Sequence, residues 1–142
     1  MSKIKLHNVR LSFPSLWRKA VFGGDETKYE ATFLLDKTTH ADAIKLIEAG
    51  IKAINADKHK GKALASDKVC LKDGDTIDYD GYAGNMSIKA SSTKRPMVIG
   101  KDKTPLTEDD GKPYAGCYVN AVVELWGQKN QFGERVNANL LA

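Results

Sequence analysis

Across residues 3–13 apolar and polar side chains alternate with the period of a strand, but the phase slips once. Ile4 and Leu6 share one parity, while Val9, Leu11 and Phe13 share the other. A one-residue slip predicts a β-bulge, and the first strand of a small barrel needs such a bend to serve both halves of a curved sheet. Pro14 is expected to end this run, because proline donates nothing to the ladder. Residues 15–28 read as a loop, with Gly23-Gly24-Asp25 as a turn signal and Trp17, Arg18, Lys19 and Phe22 along it. A second strand is predicted over residues 29–35, with Tyr29, Ala31, Phe33 and Leu35 on one face.

The period then becomes helical. Ile44, Ile47, Ile51 and Ile54 form one apolar stripe, suited to packing on a barrel. Thr39 and Asp42 resemble a capping box with Asp in place of Glu, Gly50 weakens the interior, and the helix should end near Asp57, before Lys58-His59-Lys60-Gly61-Lys62. Leu71-Lys72-Asp73-Gly74-Asp75 reads as a turn. Residues 85–92 read as a strand with Met86, Ile88 and Ala90 inward and Lys89 outward; residues 97–99 continue the sheet, and 100–116 are loop-like. Alternation is clearest near the end. Cys117, Val119, Ala121, Val123 and Leu125 lie on one face, with Tyr118, Asn120, Val122, Glu124 and Trp126 on the other. Residues 127–133 make a hairpin connection, after which Val136, Ala138 and Leu140 face inward and Arg135, Asn137 and Asn139 outward.

About five strands with one inserted helix predict a mainly β fold, an antiparallel barrel of the oligonucleotide-binding (OB-fold) kind. An open α+β sheet covered by the helix is the alternative. The 142 residues are expected to form one domain, 1–142, large enough to bury a core without a disulfide or metal.

Charge adds a direction. The formal net charge is +4. Residues 85–101 carry Lys89, Lys94, Arg95 and Lys101 and no acid, whereas acids cluster at Asp73, Asp75, Asp78 and Asp80 and at Glu108, Asp109 and Asp110. Such segregation makes the local field stronger than the net charge suggests and favours an anionic partner. No window reads as a signal core or a membrane span, so no membrane association is expected. Cys70 and Cys117 match no metal-ligand spacing; Cys117 reads as a buried free thiol, which places the protein in a reducing compartment, the cytoplasm.

Catalytic chemistry finds little support. His7, His40 and His59 make no HxH or HExxH pattern, and no nucleophile elbow or phosphate-cradling glycine loop occurs. The acids around Gly74 lack calcium-loop spacing and its terminal Glu. Asp73, Asp75, Asp78 and Asp80 could hold magnesium for a nuclease, but read more simply as an exposed loop. No cofactor, metal or enzymatic activity is therefore expected.

Binding chemistry is better represented. Sequence-independent capture of single strands needs cations along the phosphates and flat rings on the bases. Outward positions supply both: Lys5, His7 and Arg10 from the first strand; Lys89, with Lys94 and Arg95 beyond it; Tyr118, Asn120 and Trp126; and Arg135, Asn137 and Asn139. The candidate DNA-binding set is Arg10, Lys89, Lys94, Arg95, Tyr118, Asn120, Trp126 and Arg135. Each has a plain structural reading beside this one: Trp126 covered by a loop or partner subunit, Tyr118 packed on the helix, lone lysines solvated.

Several blocks also resemble, in order, one phage family: Val9-Arg10-Leu11-Ser12-Phe13-Pro14-Ser15-Leu16-Trp17, Lys28-Tyr29-Glu30-Ala31-Thr32-Phe33-Leu34-Leu35, Leu71-Lys72-Asp73-Gly74-Asp75, Gly81-Tyr82-Ala83-Gly84, Arg95-Pro96-Met97-Val98 and Tyr114-Ala115-Gly116-Cys117-Tyr118-Val119-Asn120. The family is the phage single-stranded-DNA-binding proteins of the Enc34 type, once filed as a domain of unknown function and similar in role to the phage T7 DNA-binding protein. The resemblance implies an oligonucleotide-binding barrel without enzymatic activity. It also implies protection of single-stranded DNA in phage DNA replication, recombination or repair, in the host cytoplasm. Duplex DNA is expected to bind more weakly. Family chains usually continue past Leu140-Leu141-Ala142, and binders of this kind often carry an acidic C-terminal tail that recruits replication proteins; the expectation is a fragment lacking that tail, monomeric or dimeric. The competing readings are a metal-dependent DNA-processing enzyme and a virion or assembly protein.

Overall fold

The computed structural model describes residues 3–19, 21–22, 24–58, 68–76, 82–100, 103–111, 113–130 and 133–141. The strands are β1 (Lys3–Ser15), β2 (Val21–Phe22), β3 (Asp25–Glu26), β4 (Tyr29–Asp36), β5 (Leu71–Asp73), β6 (Asn85–Ser92), β7 (Tyr118–Asn130) and β8 (Gly133–Leu140), with the helix α1 (Ala41–Lys58) between β4 and β5. The expectations for His59, Lys60, Gly61, Lys62, Asp78, Asp80, Gly23 and Lys101 lie outside the described residues.

The sheet order is β4-β1-β7-β8-β6-β5, and β4 also pairs with β6, which closes β1, β7, β8, β6 and β4 into a barrel. One outward row runs Lys3, Glu124, Asn139, Ser91 and Glu30, and returns to β1 at Ser15 rather than at Lys3. That large stagger is what a narrow closed barrel of steeply tilted strands requires.

β1 bends twice to make the closure. Its register shifts between Leu6 and Val9 against β7, where Asn8 has φ 53°. This is the slip read from the alternation. The Asn8 amide, displaced from the ladder, donates to Asn120 Oδ1 at 2.8 Å. A second shift against β4 lies between Ser12 and Ser15, with Phe13 at φ 45°. β1 therefore runs past Pro14, because a bulge is one of the few places in a sheet that tolerates proline.

Inside, Leu6, Val9, Leu11, Leu35, Ile47, Ile88, Val123 and Val136 are almost wholly enclosed, each contributing roughly 1.5–3 kcal/mol of apolar burial. Ile44 and Ile47 carry α1 into this core, with Ile51 and Ile54 at its margin. Gly50 has a packing reason: a Cβ there would stand 2.7 Å from Leu125 Cδ1, so glycine lets the helix close on β7. At the helix start Asp36 Oδ1 accepts the Thr38 and Thr39 amides at 2.8 and 3.0 Å, which holds its carboxyl below the usual range.

Four expectations need correction. The barrel is not wholly antiparallel: β6 and β8 run parallel, paired at Ser91 and Asn139. Leu71–Asp73 is an edge strand on β6, and only Gly74–Thr76 turns, as one 3-10 turn. Residues 97–99 do not extend the main sheet; Ile99 bridges Pro105 locally, and Met97 is exposed. The β7–β8 ladder runs on to Asn130 and Gly133, much farther than a connection over 127–133 allows. In addition, the stretch read as loop before β4 contains the small β2–β3 ladder.

Candidate nucleic-acid interface

The outer wall of β4, β6 and β8 carries a basic groove of about 390 Å³, lined by Thr27, Lys28, Glu30, Lys68, Val69, Cys70, Lys72, Lys89, Ser91, Arg135, Asn137 and Ala138. Strand alternation puts the polar members there. Ala90, Val136 and Ala138 fill the core, so Lys89, Ser91, Arg135 and Asn137 project outward. Five cations face one carboxylate, Glu30, whose Oε2 lies 3.4 Å from Lys89 Nζ. Lys89 is well exposed, so this pair leaves its charge available to a ligand.

Trp126 stands at the groove's edge. It is half-buried and lies directly across from Asn137, whose Nδ2 donates to Gln128 Oε1 at 3.1 Å. One side thus offers an aromatic ring beside an amide ladder, and the other offers cations. Cys70, also on the lining, is a free thiol pushed up to about 11 by burial, so it is protonated and unreactive at neutral pH. Cys117 is likewise free and half-buried.

The eight residues singled out in the sequence do not form one surface. Lys89 and Arg135 line the groove; Trp126 does not line it, but sits on β7 across from Asn137, which does. Arg10 and Tyr118 pair across β1 and β7 and line a separate recess with Asn8, Leu34, Asp36, Thr39, His40 and Asn85. Tyr118 is 64% exposed, so it does not pack on the helix. Asn120 caps the bulge amide of Asn8. Lys94 and Arg95 lie beyond β6 and line neither cavity; Arg95 stacks over Trp17, 5.3 Å from the ring centroid. Lys28, Lys68 and Lys72 were missed. The signal was there for two of them: Lys68 and Lys72 flank the apolar run Val69-Cys70-Leu71, the mark of a short edge strand guarded by lysine.

The histidine and aspartate clusters have structural work of their own. His40 Nδ1 accepts the Asp36 amide at 3.0 Å, which leaves Nε2 to donate to the His7 carbonyl at 3.0 Å; the ring ties α1 to the β1 bulge. Lys37 Nζ bridges Asp73 and Asp75 at 2.7 and 2.6 Å, and Asp75 also accepts the Gly84 amide. Lys37 holds both carboxyls low, and its own ammonium is pushed up by them. Among the described residues no group of three or more His, Cys, Asp or Glu is arranged to hold a metal ion.

The model of the Enterobacter phage Enc34 ssDNA-binding protein family matches residues 2–142. Protein p50 of Acyrthosiphon pisum secondary endosymbiont phage 1 is 45% identical over 148 residues, covering 97% of this chain and 79% of that protein. The structure of the single-stranded DNA-binding protein from bacteriophage Enc34 in complex with ssDNA superposes with a TM-score of 0.87 at 34% identity, covering 98% of this chain and 82% of that one. Bacteriophage T7 gp2.5, a single-stranded DNA-binding protein, matches with a TM-score of 0.51 at 10% identity over 99% of this chain and 88% of its own, a likeness of fold alone. With the family model matching residues 2–142 and a structure from that family superposing along nearly the whole chain, this protein belongs to the family of the Enc34 ssDNA-binding protein.

Proposed function

We propose that this protein binds and protects single-stranded DNA without base preference during phage DNA replication, and that it does so as a non-enzymatic single domain in the host cytoplasm. The observation that carries this reading is the groove in which Lys28, Lys68, Lys72, Lys89 and Arg135 converge, bordered by Trp126. Cations at this density track a phosphate backbone, and the ring stacks on an unpaired base. Duplex DNA presents no free base face, so it gains the electrostatic part alone and binds more weakly. Membership of this family supports the reading, and the ion-paired Asp73 and Asp75 do not favour a metal-dependent nuclease.

The test is fluorescence anisotropy with a labelled dT oligonucleotide and a duplex of equal length. The unmodified chain should prefer the single strand. Lys89→Ala with Arg135→Ala should weaken binding to the single strand and lower the salt dependence by about 0.7 of a unit of slope per lost phosphate contact. Wild-type affinity in the double variant would overturn the groove assignment. Cleavage of either DNA with added magnesium would overturn the non-enzymatic reading.

A further inference from the structure

The basic groove and the Arg10–Tyr118 recess share no lining residue. On β4 the groove lies at Glu30 and the recess at Asp36. Arg10 pairs with Leu34, which also lines the recess, so along β4 at roughly 3.3 Å per residue the two sites are separated by about 13 Å. The turn from Tyr114 to Cys117 closes with Cys117 N donating to Tyr114 O at 3.1 Å, and Gly116 adopts φ 93° within it. Gly116 N then donates to Leu11 O at 2.7 Å, which seats the turn on β1. A Cβ on Gly116 would lie 3.6 Å from the Arg10 guanidinium, so the arginine rests over the turn beside Tyr118.

Neither side chain is engaged. Among the described residues Arg10 has no ion pair, and the Tyr118 hydroxyl has no hydrogen bond, although the ring is 64% exposed. An exposed ring with an unpaired guanidinium against it matches a nucleotide: the ring takes the base and the arginine the flanking phosphate. Asp36, on the lining, bears a charge that would repel a phosphate, and Asn8 beside it offers an amide side chain. The recess therefore suits a base rather than the backbone.

We infer that Tyr118 and Arg10 form a second foothold for the same single strand, separate from the basic groove and reached only by a strand long enough to span both. This rests on the single-strand reading above and deepens it. A strand that fills the groove alone leaves Tyr118 bare, while a longer one bridges the interval and stacks there. The two footholds then act as linked sites, and affinity rises in a step with length.

The test is length-resolved. Titrate the unmodified protein, Tyr118→Ala, Tyr118→Phe and Arg10→Ala with dT oligonucleotides from about 4 to about 20 residues, a range bracketing the site sizes of single barrels. Tyr118→Ala should lose about tenfold in affinity for the longest oligonucleotide and little for the shortest, and Tyr118→Phe should retain wild-type behaviour. Arg10→Ala should follow Tyr118→Ala. Wild-type thermal melting certifies each fold. An equal loss at every length, or no loss at any, would overturn the second foothold. Failure of the unmodified protein to bind any length would instead overturn the single-strand reading itself.

Discussion

Trp126 owes its position to strand phase. Its neighbours Leu125 and Val123 fill the core, so it has to face out, and its cross-strand partner is Asn137 on the groove. The same parity puts Lys89 and Arg135 on the outer face, where they line the groove. It could not reveal that Arg10 and Tyr118 share the outer surface yet sit at a different site, because parity gives the side of a strand and not the position along a tilted barrel. Parity also fails at Leu34 and Ser87, which face outward and are buried all the same. Tyr82 is also buried, with its hydroxyl 2.8 Å from Ser12 Oγ on β1. Trp126→Ala should weaken dT binding by about 1–3 kcal/mol if the ring stacks on a base. Intrinsic fluorescence separates the rings: in Trp126→Ala, Trp17, already stacked under Arg95, should show little of the quenching seen in the unmodified chain.

At the scale of elements, the change of period from two to 3.6 locates the helix, and the phase slip locates the first bulge. The edge strand Leu71–Asp73 was hidden because three residues carry no periodicity. What holds its far end is Lys37, reaching from the end of β4 to Asp73 and Asp75. The two aspartates are depressed below the ordinary carboxylate range, so their contribution is present above that range and is lost as pH falls through the depressed values. Lys37 is raised, so its contribution persists up to high pH. Lys37→Met should therefore melt at a lower temperature than the unmodified protein at about pH 7, with the gap closing as pH falls through the depressed carboxyl values. A gap that does not depend on pH would assign the loss to packing of the lysine stem. Gly74 sits beside this cluster, where a Cβ would meet the backbone carbonyls of Tyr82 and Asn85, so the tight turn excludes larger residues.

For the whole molecule, the alternating runs and single helix were sufficient to anticipate a small barrel. They could not show the parallel closure of β6 on β8, which depends on where the steeply tilted ends of two distant strands meet. That closure gathers the function. Lys28 precedes β4, Lys68 and Lys72 flank and form β5, Lys89 lies on β6 and Arg135 on β8, and one wall brings all five to a single groove. A net charge of +4 understates this, because the acids at Glu108–Asp110 belong to a loop that does not line it.

The central claim is that this wall grips single-stranded DNA through its phosphates and stacks a base on Trp126. A fluorescence titration with poly-dT over a series of salt concentrations tests it most directly. The account predicts quenching on binding and log affinity falling linearly with log salt, with a slope between roughly −2 and −4 for five groove cations at about −0.7 per phosphate neutralised. An affinity indifferent to salt, or binding without any change in tryptophan emission, would contradict it.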